Sequence, residues 1–286
     1  MADKTNEYRG KGRALVTGAS GGLGGAFALE AARKGYDLIL VDLPGTGLHE
    51  IGRRLARAYK LEAQCFEADL GDPEARRTIA AWVRDNRIEL TLLVNNAGTG
   101  WQSGFGEAPI ERLCSIVDVN IQGTMHLTYL LLPELRRQSK AVVINVASLA
   151  AFYPMPAMAV YAASKSFILS FSLAIRSELQ GSGVTVSTLC PAGMITNRDT
   201  ADQVAAQGFF GRLTTMYPEA VAAVALRQAL RGRDVIIPGL VNRAIRLVST
   251  LAPRGLVVRV IGGRWKKAEE TVKAQRTLEI ARMSAL

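Results

Sequence analysis

Cysteine and histidine are scarce in this chain. Among its 286 residues there are three cysteines and two histidines. Cys65, Cys114 and Cys190 are widely spaced and form no Cys-x-x-Cys motif, which predicts free thiols in a reducing compartment and excludes a disulfide framework. His49 and His126 are not grouped with cysteines at metal-ligand spacing, so we expect no metal site.

Segments that would direct the chain into or across a membrane are also not expected. The first 12 residues are polar and charged, which is not typical of a secretory signal. Residues 141–163 carry no charge and are long enough to span a bilayer, but Pro154 and Pro156 would break a helix there. We therefore predict a strand, a loop and the start of a helix in this run, and a cytoplasmic protein.

The pattern of hydrophobic residues predicts an α/β fold. Runs such as Asp37–Asp42 and Leu90–Asn95 are continuously apolar, which is typical of parallel strands buried on both faces. Strands and helices alternate, which predicts a Rossmann-type, doubly wound parallel sheet of about seven strands with helices on both faces, in one domain over residues 1–239. The predicted strands are 13–17, 37–42, 62–68, 90–95, 141–147, 184–189 and 234–238, and the predicted helices are 22–34, 48–59, 73–86, 109–138, 157–179 and 221–230.

A glycine-rich turn, Thr17 to Gly24, follows the first strand and opens the first helix. Such a turn lets the backbone approach a pyrophosphate at a helix N-terminus. Asp42 ends the second strand, where a carboxylate can accept both ribose hydroxyls of NAD and repel the 2′-phosphate of NADP. The same turn matches Gly-x-Ser-x-Gly at Ser20, the nucleophile elbow of hydrolases, but no histidine follows at a suitable place. A dinucleotide site is therefore favoured over a serine hydrolase.

Tyr161 and Lys165 are four residues apart on a predicted helix and share one face. A neighbouring ammonium favours the phenolate, so we expect Lys165 to lower the pKa of Tyr161 towards the range useful for proton transfer. Ser148 lies 13 residues upstream of Tyr161, and its hydroxyl can bind a substrate oxygen. A Tyr-x-x-x-Lys pair is by itself a common surface feature, and it gains meaning from the dinucleotide site that precedes it.

Together these residues resemble the short-chain dehydrogenase/reductase family over about residues 12–239. The motifs that carry the resemblance are Thr17-Gly18-x-x-x-Gly22-x-Gly24, Asp69-Leu70, Asn95-Asn96-Ala97-Gly98, Asn120, Ser148, Tyr161-x-x-x-Lys165, and Pro191 followed by Thr196. The chain departs from the family at Ala192, where a glycine usually follows the proline. Many relatives that use NADP carry a basic residue where this chain has Gly21 or Leu43, so the resemblance also favours NAD over NADP.

The resemblance implies a role for each matching residue. Tyr161 would be the general acid or base, Ser148 would orient the substrate oxygen, and Asn120 would anchor a proton-relay water near Lys165. Lys165 would also bind the nicotinamide ribose. The expected cofactor-binding residues are Gly18, Ser20, Gly22, Leu23, Gly24, Asp42, Asp69, Leu70, Asn96, Ala97, Gly98, Tyr161, Lys165, Pro191 and Thr196.

The resemblance further implies hydride transfer between NAD and a secondary alcohol or ketone, in a homodimer or homotetramer. A substrate loop is expected over residues 194–216, with Phe209 and Phe210 in it. Apolar residues before the catalytic tyrosine, among them Phe152, Tyr153 and Met155, suggest a hydrophobic or bulky substrate. The alternative is a scaffold that binds NAD without turnover.

The C-terminal part of the chain is strongly basic. Residues 231–286 carry twelve Lys or Arg and four Asp or Glu, a net charge of +8 out of +10 for the whole chain. We predict a helical extension over 240–286, with short amphipathic helices at 240–251 and 255–261. Trp265 is the only aromatic residue there, which argues against nucleic acid. The extension is expected to contact a membrane surface weakly, or else to cover the substrate side or a subunit face.

Overall fold

A single parallel sheet forms the centre of the molecule. The computed structural model describes residues 11–194 and 214–251, together with positions 255, 259 and 263. The sheet has seven strands in the order β3-β2-β1-β4-β5-β6-β7, and every neighbouring pair is parallel. The strands are β1 (Arg13–Thr17), β2 (Asp37–Asp42), β3 (Ala63–Glu67), β4 (Leu90–Asn95), β5 (Ala141–Val146), β6 (Val184–Leu189) and β7 (Val235–Ile236). The predicted doubly wound sheet is confirmed.

Helices lie between these strands, and one more follows β7. They are α1 (Gly22–Arg33), α2 (Leu48–Tyr59), α3 (Pro73–Asp85), α4 (Ile110–Ile116), α5 (Thr124–Arg136), α6 (Ala159–Glu178), α7 (Pro218–Leu230) and α8 (Leu240–Leu251), with a π-helical turn (Val117–Gly123) and a 3-10 turn (Leu149–Phe152). Among the described residues, none of the helices is both long enough and apolar enough to cross a membrane. Residues 141–163 form β5, the 3-10 turn and the start of α6, as predicted.

Strands β1 to β6 each contribute to two hydrophobic cores, one on either face of the sheet. Along β1, Ala14 and Val16 face one core with Phe27 of α1, whereas Leu15 faces the other with Leu131 of α5. Because successive strand residues point to opposite faces, burial on both sides requires the continuous apolar runs seen in the sequence. Strands β2 and β3 extend the sheet on one side of β1, and β4 to β7 on the other. The crevice at this reversal is where such sheets bind ligands.

Three differences from the prediction have local causes. The helix predicted over 109–138 is interrupted by the π-helical turn, which the hydrophobic pattern does not reveal. Helix α7 begins at Pro218, three residues before the predicted start, because proline fits the first turn of a helix. Strand β7 has only two residues, because it pairs with β6 over two positions at the edge of the sheet. Most of the predicted substrate loop, including Phe209 and Phe210, and most of the extension after α8 lie outside the described residues.

Candidate active site

The glycine-rich turn packs closely against the start of the loop that follows β4. Gly18 has φ of +66°, and a Cβ atom on Gly24 would lie 1.8 Å from the carbonyl oxygen of Gly18. Neither position can accept a larger residue without moving the turn. Among the described residues, no side chain caps the N-terminus of α1 at Gly21. The first N–H groups of a helix have no partner within it, so this end of α1 suits the pyrophosphate of a dinucleotide.

The carboxylate of Asp42 lies beside this turn, as the sequence predicts. Its Oδ2 accepts a hydrogen bond from the backbone N of Ser20 at 2.7 Å, and its Oδ1 accepts one from the backbone N of Leu43 at 2.8 Å. The hydroxyls of Ser20 and Thr46 share a hydrogen bond of 2.7 Å. Asp42 is only partly buried, so its carboxylate is both fixed in orientation and accessible to a ribose.

Thr17 joins the ends of β1 and β4, a role that was not predicted. Its Oγ1 accepts hydrogen bonds from the backbone N of Asn96 and of Ala97, each at 2.9 Å. In return, Nδ2 of Asn96 donates to the carbonyl oxygen of Thr17 at 2.9 Å and to that of Gly18 at 3.3 Å. These contacts fix the floor of the crevice. The signal in the sequence was a threonine immediately before the glycine turn.

Three predicted site residues meet on the other side of the crevice. Lys165 is 5% exposed, and its Nζ donates to the carbonyl oxygen of Val146 at 2.9 Å. A Cβ atom on Gly98 would lie 3.0 Å from Oδ1 of Asn120 and 3.3 Å from Nζ of Lys165. The structure therefore brings Gly98, Asn120 and Lys165 together, although 67 residues separate the first from the last.

The π-helical turn explains how Asn120 reaches this position. Asn120 is fully buried within the turn, and its Oδ1 accepts from the backbone N of Thr99 at 2.8 Å. Its Nδ2 donates to the carbonyl oxygen of Thr99 and to Oγ of Ser164, each at 3.0 Å. Single π-helical turns inside α-helices are frequent at functional sites. Ser164 was missed in the sequence, although it immediately precedes Lys165.

Ser148 and Tyr161 lie close enough for the serine hydroxyl to lower the pKa of the tyrosine. Oγ of Ser148 also accepts from the backbone N of Ala150 at 3.1 Å and thereby caps the 3-10 turn after β5. The ring of Tyr161 is partly exposed and lies against Gly100, where an added Cβ atom would be 3.1 Å from Cδ2 of the ring. Glycine at position 100 therefore leaves room for the ring of Tyr161.

The expected pKa of Tyr161 is wrong for this structure. Burial of its hydroxyl raises the pKa above the ordinary value, and the nearby hydroxyl of Ser148 opposes this effect only in part. Nζ of Lys165 lies 5.8 Å from the centroid of the Tyr161 ring and is bonded to Val146 instead. Burial also lowers the pKa of Lys165 to about 8. Desolvation, which spacing in the sequence does not encode, outweighs the attraction between the two groups.

The remaining predicted residues lie around this centre. Oδ1 of Asp69 accepts from the backbone N of Gly71 at 2.8 Å, and Leu70 is buried. The carbonyl oxygen of Pro191 accepts from the backbone N of Leu149 at 2.8 Å, so Pro191 adjoins the turn that Ser148 begins. Thr196 lies outside the described residues.

Two exposed aromatic residues near Tyr161 were not predicted. Trp101 and Phe105 are 38% and 70% exposed, and they line a small cavity together with Ala157 and Val160. Val160 immediately precedes Tyr161 in the chain. These side chains give the edge of the site an apolar surface. They lie in a glycine-rich loop without a helix or strand periodicity, so the sequence pattern does not predict which way they face.

The sequence of this chain matches a known protein family. Residues 12–207 match the short chain dehydrogenase family. The chain belongs to this family of NAD(P)-dependent oxidoreductases. The resemblance found in the sequence is thereby confirmed, and the matched region contains every predicted site residue.

The relatives of this chain carry names that refer to different substrates. The chain is 30% identical over 182 residues to very-long-chain 3-oxoacyl-CoA reductase-B of Danio rerio, covering 62% of this chain and 58% of that protein. It is 36% identical over 191 residues to serine 3-dehydrogenase of Agrobacterium fabrum, covering 63% and 71%. A short-chain dehydrogenase from Sphingobium yanoikuyae in complex with NADPH superposes with a TM-score of 0.72 at 28% identity, covering 86% and 94%. The chain thus spans less than two thirds of the length of the reductase from Danio rerio.

Proposed function

We propose that this short-chain dehydrogenase transfers a hydride between a nicotinamide cofactor and a secondary alcohol or ketone. The observation that carries the proposal is that Ser148, Tyr161 and Lys165 lie in one site, where Ser148 acts on the pKa of Tyr161 and Nζ of Lys165 lies 5.8 Å from the centroid of the Tyr161 ring. When bound, the cofactor supplies the hydride. Ser148 binds the carbonyl oxygen of the substrate, and the hydroxyl of Tyr161 donates the proton in the direction of reduction.

The charges of the site support this assignment of the proton. Burial raises the pKa of Tyr161 and so keeps the phenol protonated at neutral pH, and its loss of the proton therefore needs a positive charge close by. Lys165, with a pKa of about 8, is mostly protonated at pH 7 and can stabilise the phenolate that forms. Asn120, held by Thr99 and Ser164, keeps its position beside Lys165 and suits the water-anchoring role.

The cofactor is proposed to be NAD rather than NADP. Asp42 is oriented by two backbone N–H groups, and its negative charge at the end of β2 disfavours a 2′-phosphate. No basic side chain stands at Gly21 or Leu43 to offset that charge. The relative from Sphingobium yanoikuyae was solved in complex with NADPH. Measuring which of the two cofactors this chain prefers therefore tests the argument from Asp42 directly.

A hydrophobic or bulky substrate fits the apolar edge of the site. Trp101 and Phe105 line it on one side, and Phe152 follows Ser148 on the other. The name of the Danio rerio relative, a very-long-chain 3-oxoacyl-CoA reductase, agrees with a long apolar substrate. The predicted homodimer or homotetramer remains a prediction, as does contact of the basic extension with a membrane surface.

A panel of ketones and alcohols, followed through the absorbance of NADH, tests the proposed function. We expect turnover of hydrophobic ketones by the native chain and none by Tyr161→Phe. Binding of NADH without turnover of any member of the panel would instead favour the scaffold that binds NAD without catalysis.

A further inference from the structure

Helix α8 packs on the molecule through its polar side. Asn242 is 2% exposed, and its Nδ2 donates to the carbonyl oxygens of Pro238 at 2.9 Å and Thr214 at 3.1 Å. Ser249 and Arg246 also face the body of the protein, where both are partly buried. A helix that simply covered the sheet would turn its apolar stripe inwards, and α8 does the reverse.

The apolar side of α8 faces outwards. Leu240 is 80% exposed, Leu247 is 70% exposed and Val248 is 68% exposed. Ala244 lies between them and is exposed as well. Because residues three, four, seven and eight positions apart fall on one side of a helix, these four form a continuous stripe. Single exposed apolar residues are common on protein surfaces, whereas a contiguous apolar stripe is typical of an interaction site.

Positive charge accompanies this stripe. Arg243 is exposed and lies at its border, three residues after Leu240 and four before Leu247. Residues 231–286, which include α8, carry a net charge of +8. Apolar side chains flanked by cations are the composition of helices that lie in the headgroup region of an anionic bilayer. The charge therefore favours a lipid surface over a second basic copy of this chain.

The inner side of α8 contacts the turn that carries Ser148. The hydroxyls of Ser249 and Tyr153 share a hydrogen bond of 2.7 Å. The Cζ atom of Arg246 lies 4.1 Å from the ring centroid of Phe152, within range of a cation–π contact. Phe152 ends the 3-10 turn that Ser148 caps. One helix thus connects the outward apolar stripe with the 3-10 turn Leu149–Phe152. We call this turn the catalytic turn because Ser148 caps it.

We propose that α8 docks this protein on an anionic lipid surface through Leu240, Ala244, Leu247 and Val248, and that the catalytic turn takes its ketone or alcohol from that surface. The second part rests on the proposed oxidoreductase function. It assigns the substrate to molecules that partition into lipid, which agrees with the apolar edge formed by Trp101 and Phe105.

Vesicle co-sedimentation of the full chain tests the docking. Vesicles of phosphatidylcholine with phosphatidylglycerol should bind the native chain, and vesicles of phosphatidylcholine alone should bind it much less. Raising the salt concentration should weaken binding because it screens the headgroup charge. The double variant Leu240→Glu/Val248→Glu should bind at least about tenfold more weakly, since it places two carboxylates in the apolar stripe.

Ala58→Glu/Gln64→Glu is the matched control. It makes the same change of net charge at exposed positions on α2 and β3, at the opposite edge of the sheet. It should bind vesicles as the native chain does. Thermal unfolding of both double variants checks that each is folded. Equal vesicle binding by the two double variants would overturn the docking surface, and so would a loss of self-association confined to Leu240→Glu/Val248→Glu, which would make the stripe a subunit contact.

Turnover measurements distinguish a failure of the docking proposal from a failure of the proposed function. Anionic vesicles should raise kcat/KM of the native chain for a long-chain ketone at least about tenfold more than for a small water-soluble ketone, because only the former concentrates at the surface. An equal effect on both ketones would overturn the lipid source of the substrate. Failure to turn over either ketone, with vesicle binding intact, would contradict the oxidoreductase assignment while supporting the lipid surface.

Discussion

Nζ of Lys165 donates a hydrogen bond to the carbonyl oxygen of Val146, 2.9 Å away. Val146 is the last residue of β5, two positions before Ser148, and Lys165 lies one turn after Tyr161 on α6. A single contact therefore ties the helix that carries the tyrosine to the strand that leads to the serine. The buried ammonium thus has a backbone hydrogen-bond partner.

Tyr161→Phe should lower kcat by about 10²–10⁴-fold, because the substitution removes only the hydroxyl that transfers the proton. The dissociation constant for NADH, measured by fluorescence titration, should change little. Tyr129→Phe, at a 73% exposed tyrosine on α5, is the matched control and should retain native turnover. Native rates in Tyr161→Phe would rule out its role as proton donor.

Asp42→Ala should weaken NAD binding and reduce the preference for NAD over NADP at least about tenfold, because one carboxylate both accepts the ribose hydroxyls and repels the phosphate. The measurement is the ratio of kcat/KM for the two cofactors. Asp37→Ala, at the opposite end of β2, should leave this ratio unchanged. A native protein that already prefers NADP would contradict the prediction before any substitution is made.

Lys165→Met should increase the free energy of unfolding at pH 7, although it should abolish turnover. Burial lowers the pKa of Lys165 from 10.5 to about 8, so the charged form is disfavoured in the folded chain. The resulting destabilisation, up to about 3 kcal/mol, is fully present below pH 8 and declines as the pH rises towards 10.5. Denaturant unfolding at pH 7 and pH 10 should therefore show a smaller difference between the two proteins at pH 10. A difference that grows with pH would have the wrong sign for a buried ammonium.

Gly24→Ala should destabilise the chain by about 1–3 kcal/mol or more and weaken cofactor binding, because its Cβ atom would overlap the carbonyl oxygen of Gly18. Gly21→Ala is the control within the same turn. Its backbone is extended, with φ of −161°, and no described atom lies within 4 Å of the added Cβ. Thermal unfolding and NADH titration of both variants measure the difference, and similar losses in the two would show that steric fit at Gly24 is not the cause.

The architecture was predictable from the sequence because it depends on local patterns. Largely apolar runs fixed β1, β2, β4 and β6 to the residue, since strands buried on both faces are rich in apolar residues at successive positions. Helix α8 was likewise bounded correctly at Leu240–Leu251 by its periodicity. The glycine turn and the carboxylate of Asp42 could be paired because parallel strands present their carboxyl ends at one edge.

The tertiary structure alone decided which way these elements face and how deeply their charges are buried. Periodicity shows that α8 has an apolar side, but contacts of Asn242 and Ser249 with the rest of the chain turn that side outwards. Spacing shows that Tyr161 and Lys165 share a helical face, but desolvation sets the direction of both pKa shifts. Spacing acts within one helix, whereas burial depends on every element packed around it. This is why spacing could place Tyr161 and Lys165 on one face but could not predict the direction of their pKa shifts.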